Sequence, residues 1–205
     1  MVTTTSPNVY TVVNNTMFTF KKTACVMLSG KAGVGKTTLA GILKAEFKKY
    51  GLNVENFSFA SSLKEVAKIM YWDGRKDERG RKFLQDLGQV GRAYNQDLWC
   101  GNLLEVTVPN RVGYPFDIIT IDDWRFRNEY DFVAGNYLYH TFTVRLIAPD
   151  RELLKGSPTY NNVSETELDD FDFDLVIDNS GDGLDLLKDK SQELIKMVLQ
   201  TTPQL

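Results

Sequence analysis

The stretch SGKAGVGKTTLAG, Ser29 to Gly41, places Gly30, Gly35, Lys36 and Thr37 at the spacing G-x-x-x-x-G-K-[ST]. Those residue types at that spacing suit the binding of a nucleotide's phosphates. Glycines let backbone N–H groups curl around a β-phosphate, a lysine neutralises β- and γ-phosphate oxygens, and a threonine hydroxyl ligates magnesium. The helix that must follow adds the positive end of its dipole. The expected cradle for ATP is therefore Gly30, Lys31, Ala32, Gly33, Val34, Gly35, Lys36, Thr37 and Thr38, with Mg2+ on Thr37. The loop alone leaves open whether a phosphate is handed to a small molecule or lost to water.

A second set of chemistry-bearing residues recurs at helical spacing. Between Arg81 and Tyr94, Phe83, Leu84, Leu87, Val90 and Tyr94 share one side, and Arg81, Gln85, Gly88 and Arg92 form a narrow stripe on the other. The pattern predicts that the apolar side packs on the domain and that the two guanidiniums point outward along one line. Forked guanidiniums suit a phosphate, Gln85 suits a base edge, and Gly88 leaves room for a nucleotide. Trp72, beside the polar segment WDGRKDERGR, is the candidate for stacking on a base, whereas Trp99, Trp124 and Phe126 read as core or pocket wall. The single histidine, His140, reads as a structural residue near a strand start.

The elements that must position these residues alternate. ACVML (24–28) reads as a buried strand, and the helix after the loop carries Leu39, Ile42, Leu43 and Phe47 at helical spacing until Gly51. NVENFSFA is the next strand and SSLKEVAKIMYW a helix; WDGRKDERGR reads as a mobile surface loop. FDIITID, FTVRLIA and FDLVID are further apolar strands, and LDLLKDKSQELIKMVL is the last helix. Such alternation predicts a parallel sheet with helices on both faces. Residues 9–20 read as a hairpin or edge extension around Asn14 and Asn15.

The chain of 205 residues suits one domain rather than two large ones. No run approaches the ~18 apolar residues of a bilayer span, and a net charge of −3 argues against broad nucleic-acid binding. The first residues lack a basic region followed by an apolar core, so the expected location is the cytoplasm. Cys25 and Cys100 are too few and too far apart for a disulfide framework or a zinc site.

Five later segments stand in an order that resembles phage-type deoxynucleoside monophosphate kinases: FASSLKE (59–65), GRKFLQDLGQVGR (80–92), DWRFRNE (123–129), VSETE (163–167) and VIDNSGDGLDLL (176–187). The resemblance covers roughly residues 25–187. It departs from that family at Thr37, where an aspartate is usual, and at YNNV, where a histidine often precedes the late S-E segment.

The resemblance implies a three-layer P-loop fold in one domain. Residues 61–110 would form the monophosphate-binding region, 150–168 a lid-like loop and 1–22 an N-terminal extension. It implies ATP and Mg2+ as cofactors, a small-molecule acceptor, a viral origin (hence host cytoplasm), and it allows dimerisation.

Carried over residue by residue, Lys36, Arg92, Arg125 and Arg151 would act on the transferred phosphoryl group. Lys64, Arg81, Gln85, Gly88 and Glu129 would join Arg92 and Arg125 around the acceptor, with Trp72 nominated only by its place beside the polar segment; Asp123 would share the metal with Thr37, and Asn179 and Gly181 would border the adenine. Asp122 is the neighbouring alternative for the metal, because adjacent strand residues face opposite ways. The acidic run SETELDDFDFD reads as a solvated face.

Two other readings compete. Dephospho-coenzyme A kinases and phosphomevalonate kinases look similar in the late strand and turn. KAGVGKTT also resembles the KGGVGKTT of partition-type switch ATPases, in which the first lysine, here Lys31, reaches a partner's nucleotide. Against that family, SFASSLKE and IDDWRFRNE replace its Asp-x-Gln and Asp-x-Pro segments.

Overall fold

The structure, a computed structural model, describes residues 8–13, 16–150, 156, 162–181 and 183–201. Strands β1 (Asn8–Val13) and β2 (Thr16–Lys21) form an antiparallel pair with Asn8 opposite Lys21 and Val13 opposite Thr16. The domain proper runs through β3 (Thr23–Ser29), α1 (Lys36–Lys48), β4 (Val54–Phe57), α2 (Ala60–Ile69) and α3 (Glu78–Tyr94). It continues through α4 (Leu98–Gly101) with a π-helical turn (Asn102–Thr107), β5 (Ile118–Ile121), α5 (Arg127–Ala134) and β6 (Tyr139–Ile147), then α6 (Val163–Thr166), β7 (Leu175–Asp178) and α7 (Leu184–Thr201).

The last five strands form one parallel sheet in the spatial order β4-β5-β3-β6-β7. The strand that precedes the phosphate loop is therefore central, and its neighbours are β5 and β6. Alternation along β3 builds two cores. Ala24, Val26 and Leu28 face Leu39, Leu43 and Phe47 of α1 and Leu194 and Val198 of α7. Cys25 and Met27 face the other way, toward Leu103 and Leu104 of the π-helical turn, Val133 of α5 and the wholly buried Trp124. This is the three-layer α/β arrangement expected from the alternation of elements.

The carboxyl ends of β3, β4 and β5 open on the same edge, where open α/β sheets place their ligands. What leaves those ends is the phosphate loop after Ser29, Ser58 after β4, and Asp122 to Arg125 after β5.

Candidate functional site

The phosphate loop takes its shape from glycines that nothing else could replace. Gly30 has φ +141°, and a Cβ there would lie 2.3 Å from the Leu146 carbonyl oxygen of β6, so the loop leaves the sheet pressed against that strand. Lys36 opens α1, whose N-cap, Gly35, has a left-handed backbone and no side-chain cap. Its Nζ donates to the carbonyls of Gly30 (2.7 Å) and Lys31 (2.9 Å), which fixes the ammonium inside the curve of the loop. Burial, with the nearby Arg125 charge, pulls its pKa down to about 8.

Behind the loop, buried Asn179 donates Nδ2 to the Val34 carbonyl at 2.9 Å. Asn179 thus braces the cradle from below, while Gly181 and Thr38 are exposed.

Trp124 organises the exit of β5. Its buried ring packs edge-on against Phe171 (4.9 Å between centroids) and Phe173 (5.4 Å), and its indole N–H donates to the Phe126 carbonyl. With that ring pinned, Asp123 and Arg125 on either side of it turn out of the core. Asp122 accepts a hydrogen bond from the Thr37 hydroxyl at 2.8 Å. Asp123, the residue expected beside the metal, is instead engaged with the start of α2. It accepts from the Ser58 hydroxyl (2.6 Å) and from the backbone N–H groups of Phe59 (2.8 Å) and Ala60 (3.0 Å). Adjacent residues face opposite ways, and the one that turned toward Thr37 is Asp122.

Arg125 donates to the Ser164 carbonyl at 2.8 Å and to the Glu165 carboxylate. Its backbone is held by Glu129, whose Oε2 accepts from the N–H groups of Arg125 (2.8 Å) and Phe126 (3.1 Å). Burial pushes Glu129 up to about 8, although those two hydrogen bonds and Arg92 favour its charged form.

Two cavities meet at this edge. One, of about 650 Å³, is lined by Ala32, Gly33, Lys36, Thr37 and Asp122 and is the volume in front of the cradle. The other, of about 230 Å³, lies between α2, α3 and the β5 exit and is lined by Leu63, Gln85, Gly88, Arg92, Phe126 and Glu129 among others. Lys64, Lys76, Arg81, Asp123 and Arg125 line both.

The orientation of α3 departs from the periodicity-based expectation at its arginine stripe and at its C-terminal end, while Phe83, Leu84 and Leu87 stay half-buried. Arg81, Gln85, Gly88 and Arg92 face inward onto the second cavity, whereas Val90 is 68% exposed and Tyr94 is 88% exposed. Gly88 is buried against Leu63, and the Arg92 guanidinium lies over the Phe126 ring at 4.0 Å. A helix that walls a cavity containing charged groups can turn its arginines inward, which the hydrophobic pattern alone cannot reveal.

Trp72 and the segment around it depart in part from expectation, whereas His140 is structural as expected. Trp72 lines a separate cleft with Met70, Tyr71 and Phe83, and its indole donates to the Arg75 carbonyl at 3.1 Å. The segment around it is exposed from Asp73 to Arg79, as expected of a surface loop, but it is hydrogen-bonded internally and supplies Lys76, which the polar pattern did not single out. The only hint was its position directly before Asp77, the N-cap of α3. His140 pairs in register with Ala24 inside the sheet and lines neither cavity.

The late acidic run is not a solvated face at its start. The Glu165 side chain is 4% exposed, and Asp169 bridges Lys31 (3.1 Å) and Arg145 (2.5 Å). Lys31 also donates to the Glu165 carbonyl, so its ammonium is committed within its own chain. Arg151, and most of the expected lid at 150–168, lie outside the described residues. Among the described residues no cluster of His, Cys, Asp and Glu suggests a further metal, and no helix is long and apolar enough to cross a membrane.

No protein-family profile matches the chain, and no curated protein matches it in sequence. Solved structures overlap it loosely. The APS kinase of Mycobacterium tuberculosis, in complex with AMPPNP and APS, has 13% identity and a TM-score of 0.45, covering 87% of this chain and 98% of that one. The shikimate kinase of Aquifex aeolicus has 11% identity and a TM-score of 0.44 over 85% and 98% of the two chains. A sugar kinase from Janibacter has 15% identity and a TM-score of 0.42 over 89% and 99%. Likenesses at this level decide nothing about the chemistry, and the fold rests on the strand order and loop geometry above.

Proposed function

We propose that the protein is a kinase that transfers the γ-phosphate of ATP to a deoxynucleoside 5'-monophosphate. The observation that carries the proposal is the second cavity, joined to the phosphate cradle through Lys64, Lys76, Arg81, Asp123 and Arg125. A hydrolase needs room for water alone. Here a second cavity of about 230 Å³, walled by Leu63, Leu84, Trp99 and Phe126 and headed by cations, opens beside the donor site.

The loop amides and Lys36 would hold the β- and γ-phosphates of ATP. The Thr37 hydroxyl and Asp122 carboxylate, already hydrogen-bonded at 2.8 Å, present the hard oxygen donors that Mg2+ prefers. When bound there, Mg2+ supplies neutralisation of charge on the β- and γ-oxygens.

Arg81, Arg92 and Arg125 would receive the acceptor phosphate, and Gln85 and Glu129 would border the sugar and base. Such an acceptor has a second pKa of ~6, so it is already ionised at neutral pH and needs no general base. Placement and charge neutralisation then supply the rate. The switch-ATPase alternative requires Lys31 to reach a partner's nucleotide, and that ammonium is instead engaged by Glu165 and Asp169.

The test is ADP release in a coupled assay with dTMP, dGMP, dCMP, dAMP, dephospho-coenzyme A and phosphomevalonate. Turnover that depends on one or more of the four deoxynucleotides supports the reading. Turnover only with either of the last two, or unchanged hydrolysis without any acceptor, overturns it.

A further inference from the structure

Among the residues shared by the two cavities, Asp123 and Arg125 have partners: Asp123 caps α2 and Arg125 is seated on Glu165. Lys64, Lys76 and Arg81 do not. Among the described residues no carboxylate forms an ion pair or hydrogen bond with any of the three. Three like charges gathered at the seam between two cavities repel one another; the nearby carboxylates, Asp122 and Asp123, are already hydrogen-bonded elsewhere, and a polyanion between the cations would relieve that repulsion.

Lys76 differs from the other two in how it is held. Lys64 and Arg81 project from helices, whereas Lys76 lies on the short segment that joins them. That segment is built tightly. The Arg75 N–H donates to Asp73 Oδ1 at 2.9 Å, the Trp72 indole donates to the Arg75 carbonyl, and Asp77 caps α3 by accepting from Gly80 at 2.8 Å. The Arg75 carbonyl presses so closely on the first turn of α3 that a Cβ on Gly80 would lie 2.0 Å from it. Arg75 turns to the exposed side, where it faces Asp73 at 3.6 Å, and Lys76, itself solvent-exposed, lines both cavities. Its ammonium sits in the fields of Lys64, Arg81, Asp122 and Asp123, between the donor and acceptor sides.

We infer that Lys76 is a catalytic cation of the phosphoryl transfer, spanning the donor's γ-phosphate and the acceptor's phosphate as the group moves between them. This rests on the kinase reading. In the step, an ionised oxygen of the acceptor phosphate forms a bond to the γ-phosphorus while the bond from that phosphorus to the β–γ bridging oxygen breaks, its electron pair leaving on ADP. No proton needs to move, and Lys76 keeps its own. Its contribution is greatest when charge is spread over the in-flight group, so it acts on kcat more than on either KM.

The test compares wild type with Lys76→Ala, Lys76→Arg and Gly80→Ala in steady-state kinetics with the best acceptor, and in calorimetric binding of ATP and of a dinucleoside pentaphosphate that bridges both sites. Lys76→Ala is expected to lower kcat about 100-fold with both KM values within about threefold. It should weaken the bridging analogue by about tenfold or more and leave ATP affinity unchanged. Lys76→Arg should recover most of the lost rate. Gly80→Ala, which must displace the Arg75 carbonyl, should lower kcat while the lysine is still present.

The inference is overturned if Lys76→Ala keeps wild-type kcat, if its whole loss is in the acceptor KM, or if arginine rescues no better than alanine. Absence of acceptor-dependent turnover in the wild type would instead remove the kinase reading, and Lys76 with it.

Discussion

The Thr37 hydroxyl donates to the Asp122 carboxylate at 2.8 Å, while Asp123, one residue further on, turns away to cap α2. Two neighbouring aspartates therefore carry different duties. Asp122→Asn is expected to lower kcat by about 100-fold or more and to raise the magnesium concentration needed for half-maximal rate. Asp123→Ala strips the acceptor from three donors and is expected to cost about 1–3 kcal/mol of stability, read by urea denaturation. If Asp123→Asn and not Asp122→Asn abolishes magnesium dependence, the assignment is reversed.

The Arg125–Glu165 contact ties the acceptor side to α6. Glu165 is buried and its Oε2 has no hydrogen-bond partner, so the pair is held by one carboxylate oxygen. Glu165→Ala is expected to destabilise by about 1–3 kcal/mol, less than a fully buried pair because Arg125 can regain water. A double-mutant cycle with Arg125→Ala should show coupling of about 1 kcal/mol or more, and additive single effects would show the contact to be incidental.

Glu129 carries a pH signature. Its folded-state pKa is raised to about 8 from 4.5, chiefly by burial, with Asp123 pushing the same way and Arg92 opposing; the thiol of Cys100 also faces it. The folded protein binds the extra proton, so this group's contribution is whole below pH ~4.5 and is lost as pH rises toward ~8. Glu129→Gln keeps an acceptor for the Arg125 and Phe126 N–H groups and removes the titration. It should flatten the stability profile in that window by on the order of 2–4 kcal/mol, and parallel wild-type and mutant profiles would refute the burial argument.

The orientation of α3 is tested on its two faces. Val90→Lys and Tyr94→Lys replace exposed side chains and are expected to change stability by no more than ~0.5 kcal/mol. Arg92→Ala removes a guanidinium stacked on Phe126 at 4.0 Å and should cut kcat/KM for the acceptor by about 100-fold. A large loss of stability in Val90→Lys would show that the apolar face is core after all.

The phosphate loop and the five parallel strands were legible from the chain alone, because each is specified locally. The glycine spacing dictates the loop's backbone, and short apolar runs bounded by turns dictate buried strands. What local pattern could not supply was direction. Whether α3 shows its arginines to solvent or to a cavity depends on what lies opposite, and only the packing of α2, Phe126 and Glu129 against it decides that. The same holds at the β5 exit, where the burial of Trp124 sends Asp122 to Thr37 and Asp123 to α2. It holds too for Lys76, whose place on both cavities depends on how its segment folds back on Gly80, the glycine that admits the Arg75 carbonyl.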